Sequence, residues 1–167
     1  YWSQAGRFDH RAIETRPDVL CYTSAPLTND LEVTGPVKVI LCAASSARDT
    51  DFTAKLLDVC PCGCAHNLTD GIIRARYRES MREEKLLTPG DVARYKIDLW
   101  ATSNVFAAGH RIRVEISSSN FPRFDRNPNT GGVIATATKE DCLVATQTVY
   151  HDIDHPSRIV LPVIDKV

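Results

Sequence analysis

The sequence predicts an all-β sandwich, and three observations carry that expectation. Apolar residues recur with a period of two wherever the chain is regular. Turn signals at Gly35-Pro36, Pro61-Cys62-Gly63, Pro89-Gly90 and Gly131-Gly132 interrupt these runs at spacings suited to a sandwich. Helix signals are confined to one short stretch. Together these observations predict about eight strands, at most one short helix and a jelly-roll arrangement.

In chain order, residues 1–16 lack periodicity and are expected to form an irregular lead-in, which leaves one domain over residues 17–167. The first strand is expected over 19–24. Residues 37–43, Val37-Lys38-Val39-Ile40-Leu41-Cys42-Ala43, are nearly all apolar and predict a strand covered on both faces. Strands are expected next over 52–59 and 71–78. The helix is expected over 80–87, where Ser80 is a candidate cap with Glu83 three residues on, and it ends before Pro89. In Arg94-Tyr95-Lys96-Ile97-Asp98-Leu99-Trp100 the odd positions are apolar until Trp100 and most even ones charged. Arg111-Ile112-Arg113-Val114-Glu115-Ile116 repeats the pattern with reversed parity, so each strand turns one face to a core. The last strands fall over 143–150 and 158–164.

With 167 residues, 43% hydrophobic and 25% charged, the chain is long enough to bury a core of its own. Twenty basic residues against 21 acidic ones leave a net charge of -1, so no broad field favours nucleic acid or an anionic membrane. No apolar run is long enough for a transmembrane helix, and no signal peptide is visible. The first residue is Tyr1 rather than Met, which suggests an upstream piece. Localisation is left open, with the cytoplasm slightly favoured. Cys21, Cys42 and Cys142 sit in apolar or β-branched runs and are expected to be core thiols.

A complete serine hydrolase is not expected. None of the eight glycines is followed two positions later by serine, so the Gly-x-Ser-x-Gly elbow of an α/β-hydrolase is missing. Ser117, Ser118, Ser119, Asp152, Asp154 and His155 supply triad residue types without that elbow.

The run Asp49-Thr50-Asp51-Phe52-Thr53-Ala54-Lys55-Leu56 is followed by Asn67-Leu68-Thr69-Asp70-Gly71-Ile72-Ile73-Arg74-Ala75-Arg76-Tyr77-Arg78. Gly6-Arg7-Phe8-Asp9-His10-Arg11 and Asp30-Leu31-Glu32-Val33-Thr34-Gly35-Pro36 precede them. Asn120-Phe121-Pro122-Arg123-Phe124-Asp125-Arg126-Asn127, Val149-Tyr150-His151-Asp152 and His155-Pro156-Ser157-Arg158 close the series. In number, order and spread these segments resemble the C-terminal β-domain of the X-Pro dipeptidyl-peptidase and cocaine esterase group of serine hydrolases. That group also includes α-amino acid ester hydrolases and glutaryl cephalosporin acylases. The resemblance implies a galactose-binding-domain-like jelly roll without catalytic residues, packed on an α/β-hydrolase catalytic domain of the same parent chain. The Ser, Asp and His of the parent would lie in that other domain, where the serine attacks an ester or amide carbonyl. No cofactor is expected, and self-association through an uncovered interdomain face is an expected possibility.

Three further features stand beside the resemblance. Cys60, Cys62, Cys64 and His66 supply a zinc-type inventory, but conventional zinc motifs use wider cysteine spacing. Pro61 and Gly63 suggest a turn, and an ordinary turn, a redox pair and a metal site all remain open, the turn favoured. By resemblance, a Pro-Asp-Gly-Arg-like turn is common here, and this chain has Cys62 and Cys64 in place of its Asp and Arg. Arg74, Arg76 and Arg78 are expected on one face of one strand, paired with carboxylates such as Asp49, Asp51 or Asp98. Finally, Phe121, Arg123, Phe124, Asp125 and Arg126 concentrate aromatic and guanidinium surface in one loop. Interface anchors are enriched in those residue types, so these five are the candidates for docking on the catalytic domain or shaping its substrate rim. The competing expectation is that Phe121 and Phe124 plug the end of the sandwich. A carbohydrate-binding module is the alternative function. It would need an exposed aromatic platform such as Trp100, and it rests on fold analogy. A metal-binding β-domain centred on Cys60 to His66 is the second alternative.

Overall fold

The computed structural model describes residues 8–164. After a single helical turn, α1 (Arg11–Glu14), come nine strands: β1 (Leu20–Thr23), β2 (Leu31–Ser45), β3 (Asp51–Val59), β4 (Ala65–Arg74), β5 (Ala93–Phe106), β6 (Arg111–Ser117), β7 (Gln147–Tyr150), β8 (Arg158–Val160) and β9 (Val163–Ile164). They form two antiparallel sheets, one ordered β1-β6-β3-β4 and the other β5-β2-β7, with β8 and β9 also paired to β2. The sheets enclose one main core in an all-β sandwich of the jelly-roll class the sequence predicts. Among the described residues, no helix is long and apolar enough to cross a membrane.

Alternation places the core. Along β5, Tyr95, Ile97 and Leu99 are fully buried while Arg94, Lys96 and Asp98 face solvent. On β2, Val37, Val39, Ile40, Leu41, Cys42 and Ala43 are all buried, as a strand covered on both faces requires. Phe52 and Tyr95 meet across the sheets with ring centroids 4.7 Å apart. At one side of the sandwich β4 passes close against β5. A Cβ at Gly71 would lie 1.9 Å from the Asp98 carbonyl oxygen, so only glycine permits that approach.

Several elements differ from the sequence expectation, each for a physical reason. Residues 80–87 form no helix. The Ser80 hydroxyl accepts from the Arg82 and Glu83 amides as a cap would. The next donors then leave the helical ladder: the Lys85 amide donates to the Arg76 carbonyl and the Leu87 amide to the Arg48 carbonyl. Burial of Leu87 in the core outweighs the local signal. The strand expected over 71–78 stops at Arg74, where a 3-10 turn, Ala75–Tyr77, takes over. The arginines therefore do not share one strand face. Gly35-Pro36 does not end a strand either. It sits inside β2 where the register with β5 shifts, a bulge that tolerates proline. Residues 143–146 lie outside β7, and the strand expected over 158–164 splits into β8 and β9.

Cys42 is buried as expected, but Cys21 and Cys142 are exposed. Cys21 lies on the short edge strand β1, all four residues of which face solvent, so its apolar neighbours report no core.

The lead-in docks on the outer face of the first sheet. His10 Nδ1 lies 3.1 Å from Glu115 Oε2, with both side chains buried. Arg113 Nη1 donates to Glu14 Oε2 at 2.6 Å, and the Ala65 amide donates to Asp9 Oδ1 at 3.2 Å. The solvent-side parity of β6 thus acquires a polar cover. Residues 1–7, the opening of the expected lead-in, lie outside the described residues.

Candidate functional site

The 120–127 loop is held from below by carboxylates on the first sheet. Asp70 on β4 accepts from Asn120 Nδ2 at 2.8 Å and from the Arg123 guanidinium. At the other end of the loop, Asn127 Nδ2 donates to both Asp49 Oδ2 and Asp51 Oδ1, each at 2.8 Å. Those carboxylates carry the arginines of the preceding segment. Arg74 Nε donates to Asp51 Oδ1 at 3.1 Å, and Arg76 Nε donates to Asp49 Oδ2 at 2.8 Å. Arg76 then reaches Glu84 through Nη1 and the Gly132 carbonyl through Nη2, tying the 78–90 strap and the 128–146 loop to the same point. Asp49 and Asp51 therefore pair with arginines as expected. Asp98 instead accepts from the Trp100 amide. Arg78 lies 3.5 Å from Glu79 and donates to the Ala75 carbonyl.

Electrostatics in this knot are set by burial. Desolvation pushes the Asp51 carboxyl up, against the hydrogen bonds of Arg74 and Asn127, which pull it down. For Arg76 burial works against the charge, yet the Asp49 hydrogen bond and the charges of Asp49 and Glu84 prevail and raise its pKa. Arg76 therefore remains a guanidinium facing carboxylate partners.

On this base the five candidate residues form an outward surface. Phe121 is 59% exposed, so it does not plug the sandwich. The Arg126 guanidinium stacks over its ring at 4.8 Å, and Arg123 lies over the Phe124 ring at 5.5 Å. Phe124 is half-buried and lines a cleft of about 460 Å³ with Ile72, Tyr77, Met81 and Arg123. Asp125 borders that cleft and also a second one, of about 280 Å³, on the far side of the loop with Phe121, Arg126 and Ile134. Met81, 77% exposed, extends the apolar surface of the first cleft. Sequence reasoning missed the anchors Asp70 and Asn127 and the participation of Met81 and Tyr77. Nothing in the sequence links them to their partners, which lie 50 positions away for Asp70 and Asn120 and 76 to 78 for Asn127.

The other candidates resolve differently. Cys60 and Cys62 form a disulfide, and Cys64 is a thiol beside it. His66 is not part of the cysteine group; it stands opposite Asp58 in the β3–β4 register. Trp100 is 67% exposed, the condition set by the sugar-binding reading, but it borders none of the clefts described above. Of the triad residue types, Ser117 Oγ bonds to Thr53 Oγ1 at 2.6 Å, and His155 Nδ1 bonds to Asp152 Oδ1 at 3.1 Å within its own turn. Among the described residues, no serine hydroxyl is hydrogen-bonded to a histidine ring.

One further cleft, of about 350 Å³, opens between the sheets where β1 and β6 face β7 and β8. It is walled by core residues such as Leu41, Val114 and Ile159.

Known proteins resemble this chain over nearly its whole length. The cocaine esterase of Rhodococcus sp. (strain MB1 Bresler) is 52% identical over 161 residues, which cover 96% of this chain and 28% of that protein. The crystal structure of an α-amino acid ester hydrolase superposes with a TM-score of 0.89 at 38% identity, covering 95% of this chain and 27% of that one. An aminopeptidase from a marine sediment archaeon, Thaumarchaeota archaeon, gives a TM-score of 0.89 at 37% identity over 94% of this chain and 27% of its own. The chain thus spans little more than a quarter of the length of each of these relatives. The family described as the X-Pro dipeptidyl-peptidase C-terminal non-catalytic domain matches residues 1–160, and this chain belongs to that family.

Proposed function

We propose that this domain packs on the catalytic domain of a serine hydrolase of the dipeptidyl-peptidase, esterase or acylase type, and that Phe121, Arg123, Phe124, Asp125 and Arg126 form the docking surface. The observation that carries the reading is the pairing of exposure with rigidity. Phe121 projects into solvent, while its loop is fixed at both ends by Asp70 and by the Asn127 bridge to Asp49 and Asp51. A preorganised aromatic and guanidinium surface loses little entropy when a partner covers it. The clefts on either side of the loop suit side chains from a facing domain, and the same loop would border the substrate entrance. The reaction itself, attack by a serine on an ester or amide carbonyl, would belong to the facing domain.

The test uses the full-length protein and the Phe121→Ser variant. Phe121 is mostly exposed here, so the substitution should change the stability of this domain by no more than about 0.5 kcal/mol. Hydrolysis of a p-nitrophenyl ester, or thermal stability of the full-length protein, should nevertheless fall. If both match wild type, the loop is not the docking surface. A serine-directed probe that labels this chain rather than the remainder would overturn the accessory role.

A further inference from the structure

Three sulfur atoms converge at the tip of the β3–β4 hairpin. Cys60 and Cys64 flank the three-residue loop Pro61-Cys62-Gly63. That loop is closed by the Cys60 amide donating to the Cys64 carbonyl at 3.1 Å and the Gly63 amide donating to the Cys60 carbonyl at 2.9 Å. Gly63 takes φ of 88°, the left-handed position such loops assign to glycine. Alternate residues of a straight strand would hold their side chains roughly 6 to 7 Å apart. Here the turn brings the Sγ atoms of Cys60, Cys62 and Cys64 within 4.8 Å of one another.

We propose that, once a dithiol reductant opens the Cys60–Cys62 disulfide, the three thiolates form a binding site for one soft monovalent d10 cation, Cu⁺. The donor set is all sulfur, which selects soft ions over magnesium, calcium or manganese. Three sulfurs held about 2.3 Å from one centre lie about 4 Å apart, inside the 4.8 Å within which the three Sγ atoms now lie, so opening the disulfide has only to let Cys60 and Cys62 separate. Structural zinc sites close with four protein ligands, and this cluster supplies three. Access is open, since Cys62 is exposed and Cys60 and Cys64 are half-buried. Positive charge is also at hand. Arg11 is fixed by Asp9, whose carboxylate also accepts from the Ala65 amide next to Cys64. The Arg11 guanidinium would offset the net negative charge of a copper trithiolate.

The chemistry balances without a change in the metal. The disulfide takes two electrons and two protons from the dithiol, which closes to a cyclic disulfide. The three thiols then release their protons to water as the sulfur–copper bonds form.

The experiment takes the full-length protein, reduces it with dithiothreitol, removes the reductant under argon and titrates Cu⁺ in competition with bicinchoninate. Wild type should bind one Cu⁺ more per chain than the variant with Cys60→Ser, Cys62→Ser and Cys64→Ser together, with thiolate-to-copper absorption growing over that equivalent. Each single variant should lose affinity by about 10-fold or more. Replacing the exposed Cys21 and Cys142 by Ser should leave binding unchanged. Equal uptake by wild type and the triple variant would overturn the proposal. Full affinity in Cys64→Ser, equal uptake by the oxidised protein, or preference for Zn²⁺ over Cu⁺ would do the same. If the triple variant fails to fold, alkylation of reduced wild type decides the matter. Cu⁺ should shield Cys60, Cys62 and Cys64 from iodoacetamide, and unshielded labelling rejects the site.

Discussion

Arg76 and Asp49 meet at 2.8 Å with the aspartate side chain wholly shielded from solvent and the arginine nearly so. The contact is two-pronged, because the Arg76 backbone amide also donates to Asp49 Oδ1 at 3.1 Å. One carboxylate thus fixes both the 3-10 turn that ends β4 and the guanidinium that reaches the 78–90 strap and Gly132. The loop that presents Phe121 depends on the same carboxylate through Asn127.

Breaking this pair from one side leaves a buried charge without its partner, a loss of about 3 to 5 kcal/mol. Arg76→Met should therefore lower the melting temperature by roughly 6 to 20 °C for a chain of this size. Amide exchange around residues 127–132 should accelerate with it, because Arg76 and Asn127 share Asp49. A melting temperature within about 2 °C of wild type would show that the pair is no better than a hydrophobic contact of equal volume.

The alternation on β5 and β6 was legible because side-chain parity is a local property of the strand. Parity could not announce what lies beyond the sheet. Glu115 falls on the solvent-side parity of β6, yet it is buried against His10 from the lead-in, 105 positions away. The cap at Ser80 was likewise read correctly as chemistry and wrongly as a helix, since donors from Lys85 onward found tertiary acceptors. In the candidate site, the carboxylate partners of Arg74 and Arg76 were foreseeable from charge balance. The anchoring of Asn120 and Arg123 by Asp70 was not, because it depends on how β4 lies beneath a loop fifty residues later.

Acid pH should spare one contact of the lead-in. The side-chain hydrogen bond from Arg11 holds the Asp9 carboxyl well below the usual carboxylate range. The Arg11 and Ala65 amides assist, and burial opposes them. A lowered folded-state value means that the contribution is present above the unfolded value of about 3.9 and is lost as pH falls through the folded one. At pH 3, carboxyl NMR should find Asp9 still ionised, and Arg11→Gln should move its midpoint back toward the unfolded value. An unshifted midpoint in wild type would remove Asp9 as an anchor of the lead-in.

Tyr95 is completely buried, and its hydroxyl has no hydrogen-bond partner among the described residues. Burial above all drives its pKa up to about 12, with the Asp49 charge adding to the rise and Arg78 opposing it. Tyr95→Phe keeps the ring contact with Phe52 and removes the unsatisfied hydroxyl, whose desolvation costs about 1 to 3 kcal/mol. The variant should be as stable as wild type or more so in urea titration, with an unchanged m-value. A loss of more than about 1 kcal/mol would mean that the hydroxyl has a partner in solution, such as a bound water.

The close passage of β4 over β5 rests on a single missing methyl group. A Cβ at Gly71 would meet the Asp98 carbonyl oxygen at 1.9 Å, with the Leu99 Cα at 3.3 Å, and both are backbone atoms that no rotamer change can move. Thr69, two residues earlier on the same face of β4, donates its hydroxyl to the Leu99 carbonyl and holds the two strands together there. Gly71→Ala must therefore push the strands apart. Overpacking typically costs about 1 to 3 kcal/mol, and a clash with backbone belongs at or beyond the upper end. The same displacement carries Asp70 away from Asn120 and Arg123, so the damage should reach the loop. Thermal denaturation should show a fall of at least about 6 °C, and Asn120 and Arg123 should lose amide protection beyond what global destabilisation explains. A variant as stable as wild type would show that β4 and β5 stand farther apart than this geometry requires.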